Sequence, residues 1–191
     1  MKICVFGASG EHLRKEYFDA AHELGALIGA QGHTLVYGGG RSGLMGACAA
    51  GLLEHSEALV GVAPRFFDEG DVLLKERGAF RFTDTMAERK ALMESLADAF
   101  IVLPGGTGTL EEFFEVFTLA QLGRLSGPIV LLNTLGYYDA LLSLLRAAVT
   151  EGFVSGSCLA LITLASTPGE ALSLALTPRA QGEYSISNYG K

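Results

Sequence analysis

The stretch AFIVLPGGTGTLEE, residues 99–112, combines the clearest candidate strand of the chain with a glycine-rich turn. Residues 99–103 form an uninterrupted apolar run, which is typical of a strand buried on both faces of a parallel sheet. Pro104-Gly105-Gly106 ends this run, and apolar residues then recur at helical spacing from about residue 110 to 122. A strand that passes through a turn into a helix is the repeating unit of an α/β sheet.

The same alternation extends along the chain in both directions. Candidate strands are residues 3–6, 34–37, 58–63, 79–82, 99–103 and 129–132; candidate helices are residues 17–28, 44–53, 86–97, 110–122 and 137–150, and residues 159–164 and 170–176 complete the pattern. This order predicts a three-layer, doubly wound, Rossmann-like parallel sheet in a single α/β domain over residues 1–181, followed by a polar tail at 182–191. Residues 64–79 are irregular and acidic, so we interpret them as a loop over a site.

Composition excludes several classes of protein. With 49% hydrophobic and 18% charged residues among 191, the chain is not disordered as a whole. The net charge of −7 disfavours nonspecific binding to nucleic acid, and no window approaches the ~18 uncharged apolar residues of a membrane span. Cys4, Cys48 and Cys158 are widely separated, and we interpret them as buried thiols of a cytoplasmic protein.

Two glycine clusters fall where candidate strands end, which is where ligands of doubly wound sheets bind. The first, Gly38-Gly39-Gly40-Arg41-Ser42-Gly43, lets a ligand approach the backbone, and Gly39 and Gly40 are candidate contacts. It formally matches the dinucleotide fingerprint, but it follows the second strand, and no acidic residue ends the next strand. Close packing of a helix on the sheet is the alternative explanation of these glycines.

The second cluster, Gly105-Gly106-Thr107-Gly108-Thr109, offers backbone amides and two hydroxyls to an anion at the start of a helix. The helix macrodipole adds about half a positive charge at that end, which suits a phosphomonoester. No lysine follows, so this is not a Walker A loop.

Glu112 has two explanations. Thr109-x-x-Glu112 is a capping-box pattern, which would assign this carboxylate to the helix itself. Alternatively, Glu112 faces a ligand; with Glu111 and Glu115 it would then repel a phosphate unless the carboxylates face another part of that ligand.

Arg89 is the second unusual residue. It shares a helix face with Met86, Met93 and Leu96, so it is either paired at a site or a surface arginine whose stem covers the apolar stripe. Thr85-x-x-Glu88 predicts a capping box that places Arg89 in the first turns of this helix, near a strand end.

Several segments together resemble the LOG-type cytokinin riboside 5′-monophosphate phosphoribohydrolases, whose members are often labelled lysine decarboxylases. The resemblance extends from the first strand to about residue 154. The segments that carry it are Gly38-Gly39-Gly40, Gly43-Leu44-Met45-Gly46, Met86-Ala87-Glu88-Arg89-Lys90, Pro104-Gly105-Gly106-x-Gly108-Thr109-x-x-Glu112, Ala120-Gln121-Leu122-Gly123 and Gly136-Tyr137-Tyr138.

The resemblance implies hydrolysis of the N-glycosidic bond of a nucleoside 5′-monophosphate to a free base and ribose 5-phosphate. It implies that Arg89 and Glu112 are catalytic and that residues 105–109 bind the phosphate. It also implies substrate contacts at Lys90, Glu111 and Thr118, and a homodimer with the site near the subunit interface. An oxocarbenium-like ribose next to Glu112 fits the general chemistry of glycoside hydrolysis, which needs neither a metal nor an organic cofactor.

The chain departs from the family in the turn after the first strand, which reads Gly7-Ala8-Ser9-Gly10. The family usually carries two serines there, and only Ser9 matches, so we expect Ser9 to contact the ligand. Asp71, in the loop that the resemblance does not cover well, is a candidate ribose contact.

Three functions remain open at this point. The first is a phosphoribohydrolase acting on AMP or N6-modified AMP, and the second is a broader nucleotide 5′-monophosphate nucleosidase. The third is a non-catalytic carrier of the molybdenum cofactor, because carriers of that kind share the fold and the glycine turns. A nucleic-acid-processing role is disfavoured by the net charge of −7.

Overall fold

A computed structural model describes residues 1–178 of the protein. Seven parallel strands form one sheet in the order β4-β3-β2-β1-β5-β6-β7. The strands are β1 (Lys2–Phe6), β2 (Thr34–Tyr37), β3 (Leu59–Pro64), β4 (Ala79–Thr83), β5 (Ala99–Val102), β6 (Ile129–Leu132) and β7 (Ile162–Ala165). The chain runs outward from β1 to β4 on one side and then returns to start β5 on the other, which confirms the doubly wound α/β prediction.

Helices cover both faces of the sheet. They are α1 (Lys15–Ala30), α2 (Gly43–Leu53), α3 (Met86–Leu96), α4 (Thr107–Gln121), α5 (Asp139–Thr150), α6 (Gly156–Leu159) and α7 (Pro168–Leu176), with 3₁₀ turns at Arg65–Phe67 and Thr134–Gly136. Alternate residues of each strand face opposite layers. Ile3 and Val5 therefore pack in the core beneath α1, α2 and α7, whereas Cys4 and Phe6 pack in the core beneath α3, α4 and α5.

Glycines allow α1 and α2 to pack in backbone contact. A Cβ atom at Gly25 would lie 1.8 Å from the carbonyl oxygen of Cys48, and one at Gly51 would lie 2.0 Å from that of His22. Contacts this short are not possible for a real side chain, so each position requires glycine for steric reasons. Close packing of α2 in turn fixes the position of the glycine-rich turn that precedes it.

Most of the element predictions are confirmed, and the differences are local. The predicted capping box of α3 is present, with Thr85 accepting from the amide of Glu88 and Glu88 accepting from that of Thr85. The helix after β5 begins at Thr107 rather than near residue 110, and the stretch 159–164 divides between the end of α6 and the start of β7. All three cysteines are buried, as predicted, and none forms a disulfide within residues 1–178.

The boundary at residue 181 and the tail at 182–191 lie outside the described residues, so these two expectations stay predictions. Among the helices within residues 1–178, none combines the length and the apolar character that crossing a membrane requires.

Candidate active site

A cleft of about 500 Å³ lies at the carboxyl ends of the central strands. Its walls come from the turns that follow β1, β2 and β5, from the first turns of α3 and α4, and from the β3–β4 connection. The lining residues are Gly7, Ala8, Ser9, Gly38, Gly40, Ser42, Met45, Phe67, Val72, Leu73, Met86, Arg89, Gly106, Thr107, Gly108, Thr109 and Glu112. The cleft thus occupies the point where strand order reverses, as expected of a doubly wound sheet.

Arg89 lies at the base of this cleft and is only 8% exposed. Its Nη1 donates to Glu112 Oε1 at 2.7 Å, and its Nε donates to the Val62 carbonyl at 3.2 Å. Gly38 leaves space for the guanidinium, since a Cβ atom there would lie 2.4 Å from Arg89 Nη2. The buried and paired arrangement rules out the alternative of a surface arginine.

Glu112 is the partner of Arg89, and its side chain is 11% exposed. Burial raises the pKa of Glu112 above its ordinary value, while the positive charge of Arg89 and its hydrogen bond act in the opposite direction. Of the two explanations of Glu112, the capping box is wrong, because the N-cap of α4 is Gly106, which has no side chain to cap the helix. Glu112 consequently lies in the second turn of α4 and faces Arg89.

The turn after β5 forms the polar end of the cleft. Gly106, Thr107 and Gly108 are exposed there, while Thr109 is 4% exposed and packs inward. The backbone amides of residues 106–109 donate to no acceptor within the described part of the chain. They are the first amides of α4, so the positive end of its macrodipole adds to their attraction for an anion.

Gly105 supports this turn from behind and does not line the cleft. A Cβ atom at Gly105 would lie 2.1 Å from Thr109 Oγ1, so only glycine allows the turn to close on the helix.

Of the other predicted contacts, Ser9 and Gly40 line the cleft. Gly39 does not: it is buried, with a φ of 77°, and a Cβ atom there would lie 2.6 Å from the ring of Phe80. Gly39 therefore shapes the turn from beneath, and its positive φ is accessible mainly to glycine.

Lys90, Glu111 and Thr118 do not line the cleft. Lys90 forms ion pairs with Glu111 and, at 2.6 Å, with Glu115. These contacts draw two of the three carboxylates of α4 away from the polar end of the cleft and leave only Glu112, which Arg89 neutralises. Thr118 is exposed on the outward surface of α4.

The β3–β4 connection forms the apolar wall of the cleft, and sequence reasoning did not assign its residues. We call residues 65–78 the flap. Phe67 and Val72 of the flap line the cleft although they are 45% and 53% exposed, and Met86 of α3 lies beside them. The sequence signals for this wall are the apolar pair Phe66-Phe67 and the apolar run Val72-Leu73-Leu74, in an otherwise polar and acidic segment.

Arg41 joins the flap to the glycine-rich turn. Its backbone amide donates to the Val72 carbonyl at 2.9 Å, and its guanidinium contacts Asp71 at 3.0 Å and Glu76 at 2.7 Å. Asp71 was a candidate ribose contact, but it pairs with Arg41 and is absent from the cleft lining.

Comparison with known proteins identifies relatives of this chain. A family model described as "Possible lysine decarboxylase" matches residues 45–174. A probable cytokinin riboside 5′-monophosphate phosphoribohydrolase of Oryza sativa subsp. japonica is 44% identical over 171 residues, covering 90% of this chain and 68% of the relative. An Arabidopsis thaliana cytokinin riboside 5′-monophosphate phosphoribohydrolase is 41% identical over 169 residues, covering 88% and 79%. The chain belongs to the LOG-type family.

Solved structures show the same fold at lower identity. The molybdenum cofactor binding protein of Rippkaea orientalis superposes with a TM-score of 0.69 at 23% identity, covering 91% of this chain and 93% of that one. A molybdenum cofactor carrier protein of Chlamydomonas reinhardtii gives a TM-score of 0.66 at 21% identity, covering 90% and 93%. These similarities establish the architecture of this LOG-type chain and carry no argument about its ligand.

Proposed function

We propose that the protein hydrolyses the N-glycosidic bond of AMP or N6-modified AMP and releases the free base and ribose 5-phosphate. The observation that carries this proposal is the buried Arg89–Glu112 pair, with Nη1 and Oε1 2.7 Å apart. It lies between an anion-binding turn and an apolar wall, which are the two surfaces that a nucleoside monophosphate requires. The names of the relatives at 41–44% identity support the same reaction.

The two ends of the cleft orient the substrate. The phosphate binds the free amides of residues 106–109, where the α4 macrodipole favours negative charge. The base packs against Met86, Phe67 and Val72 at the opposite end. The ribose then spans the middle of the cleft, so its C1′ atom faces Glu112.

The pair can supply the chemistry of bond cleavage. The electrons of the C1′–N bond leave with the base, which takes up a proton, and C1′ becomes cationic. The Glu112 carboxylate stabilises this cation and accepts a proton from the water that adds to C1′. Glu112 then releases this proton to solvent, which balances the proton that the base took up from solvent, so one water is consumed. Arg89 orients the carboxylate and maintains its charge in a buried position. Water and these side chains suffice, so we propose no cofactor.

We further propose a cytoplasmic homodimer in which the outward surface of α4 meets a second subunit. Glu111, Phe114 and Thr118 are spaced at i, i+3 and i+7 and are all exposed, so they share one stripe of the helix. Phe114 supplies the apolar contact of this stripe. Glu111 and Thr118, which lie outside the cleft of their own chain, would approach the substrate of the partner subunit.

The test of the reaction is a panel of nucleotides assayed by chromatography for released base. We expect release from AMP or isopentenyl-AMP in metal-free buffer. Equal release from GMP, CMP and UMP would instead establish a general nucleotide nucleosidase. A copurified pterin without base release from any nucleotide would favour a molybdenum cofactor carrier and overturn the proposal.

A further inference from the structure

Two tyrosine hydroxyls converge on the polypeptide that leads into the anion-binding turn. Tyr137 Oη donates to the carbonyl of Gly105 at 2.5 Å, and Tyr138 Oη donates to the carbonyl of Leu103 at 2.6 Å. Both tyrosines belong to the β6–α5 connection, and neither lines the cleft. The turn is therefore held from the side opposite to the ligand.

The bond from Tyr137 determines the direction of an amide on the cleft side. The carbonyl of Gly105 and the N–H of Gly106 belong to one planar trans peptide unit, so they point in opposite directions. Since Tyr137 fixes the carbonyl on the α5 side, the Gly106 amide must point the other way, where Gly106 lines the cleft. A rotation of this peptide plane would turn the amide away and present a carbonyl oxygen to the anion.

Contacts with neighbouring residues position the two tyrosines. The Asn133 side chain accepts from the Tyr138 amide at 2.6 Å and donates to Asp139 at 2.8 Å. Leu135, with a φ of 56°, completes the tight turn that precedes them. The ring of Tyr137 also packs edge-to-face against Tyr17 of α1, with centroids 6.2 Å apart.

We infer that Tyr137 is a positioning residue for phosphate recognition: its hydroxyl holds the Gly105–Gly106 peptide plane so that the Gly106 amide faces the anion. Tyr138, which is 1% exposed, holds the carbonyl of Leu103 in place within the core. The inference deepens the proposed function, because it rests on the assignment of this turn to the phosphate.

Separate binding measurements with the two reaction products distinguish an effect on phosphate recognition from an effect on the rest of the cleft. We expect Tyr137→Phe, which keeps the ring and removes the hydroxyl, to weaken ribose 5-phosphate binding about five-fold, as the loss of one hydrogen bond implies. Adenine affinity should be unchanged in the same calorimetric titrations. Tyr17→Phe is the matched control, because its ring contacts Tyr137 but its hydroxyl makes no hydrogen bond within residues 1–178.

Kinetics give a second readout. In Tyr137→Phe the KM for AMP should rise by a similar factor while kcat changes less than about two-fold. Unchanged ribose 5-phosphate affinity would overturn the inference, and so would an equal loss for adenine, which would indicate a general disturbance of the fold. If the wild-type protein binds adenine but not ribose 5-phosphate, the inference fails, while the base-release panel decides separately whether the proposed reaction stands.

Discussion

Arg89 Nη1 lies 2.7 Å from Glu112 Oε1, so an ion pair joins α3 to α4 across the base of the cleft. The two side chains are 10% and 11% exposed. A pair this buried is a costly way to join two helices, because both charges lose most of their hydration. The catalytic role that we propose for the pair would be a functional reason for that cost.

Replacement of the carboxylate should abolish the reaction without unfolding the protein. We expect Glu112→Gln to reduce base release by at least about a hundred-fold, because the amide can neither stabilise a cation by charge nor accept a proton. Its oxygen can still accept from Arg89, but the buried guanidinium loses its counter-charge, so the thermal midpoint should fall while the protein remains folded. Glu23→Gln, an exposed position on α1, is the control and should retain full activity. Full activity in Glu112→Gln would refute the assigned chemistry.

Removal of the arginine should affect stability as well as activity. Arg89→Met leaves the Glu112 carboxylate buried without its partner, and we expect a loss of about 3 kcal/mol in the free energy of unfolding at neutral pH. The double substitution Arg89→Met with Glu112→Leu should recover most of this loss while remaining inactive. Urea denaturation measures both. Equal stability of the single and double variants would show that the pair is not electrostatically coupled.

As the pH is lowered, base release should fall at a higher pH than it would if the titrating group were a glutamate with an ordinary pKa. Burial raises the pKa of Glu112, and the carboxylate is the active form, so kcat/KM falls as the pH decreases through that raised value. The midpoint should therefore lie above the ordinary value of about 4.3. Circular dichroism over the same range separates this loss from acid unfolding. A midpoint at or below the ordinary value would contradict the burial effect.

The folded state also binds this proton more tightly than the unfolded chain does, because the pKa of Glu112 is raised on folding. The contribution of the proton to stability is therefore complete below the ordinary pKa and is lost as the pH rises through the raised one.

Gly38 should be intolerant of even one added methyl group. In Gly38→Ala the new Cβ atom would lie 2.4 Å from Arg89 Nη2, so the guanidinium would have to move and its bond to Glu112 would be disturbed. We expect at least about a ten-fold loss in kcat, since misplacement of a catalytic group by about 1 Å can cost more than that. Gly10→Ala is the matched control, because no atom of residues 1–178 lies within 4 Å of an added Cβ there. Comparable kcat values for the two variants would be inconsistent with this steric role.

The sequence was sufficient for the central strands of the sheet because they are buried on both faces. Such strands read as uninterrupted apolar runs, and the glycine turns that end β2 and β5 mark their carboxyl ends. The start of α4 was misplaced because Thr107, Gly108 and Thr109 are not apolar, so the helical spacing of apolar residues becomes visible only at Leu110. The partner of Glu112 could not be predicted from local spacing, because its contact with Arg89 joins residues 23 positions apart.

The apolar wall could not be derived from local patterns. Phe67 and Val72 belong to no regular strand, and they reach the cleft only because Arg41 and the turn after β2 hold the flap in place. The role of Tyr137 is similarly non-local, because its acceptor carbonyl lies 32 residues away on the neighbouring strand connection.

The placement of the flap separates selectivity from reactivity. In the proposed reaction the flap provides the surface for the base, yet it contributes none of the sheet's paired strands and neither member of the Arg89–Glu112 pair. Exchange of residues 65–78 between relatives should therefore transfer a preference for one purine substituent over another and leave the Arg89–Glu112 pair intact. This connection is consequently a suitable segment to exchange when new nucleotide hydrolases are engineered.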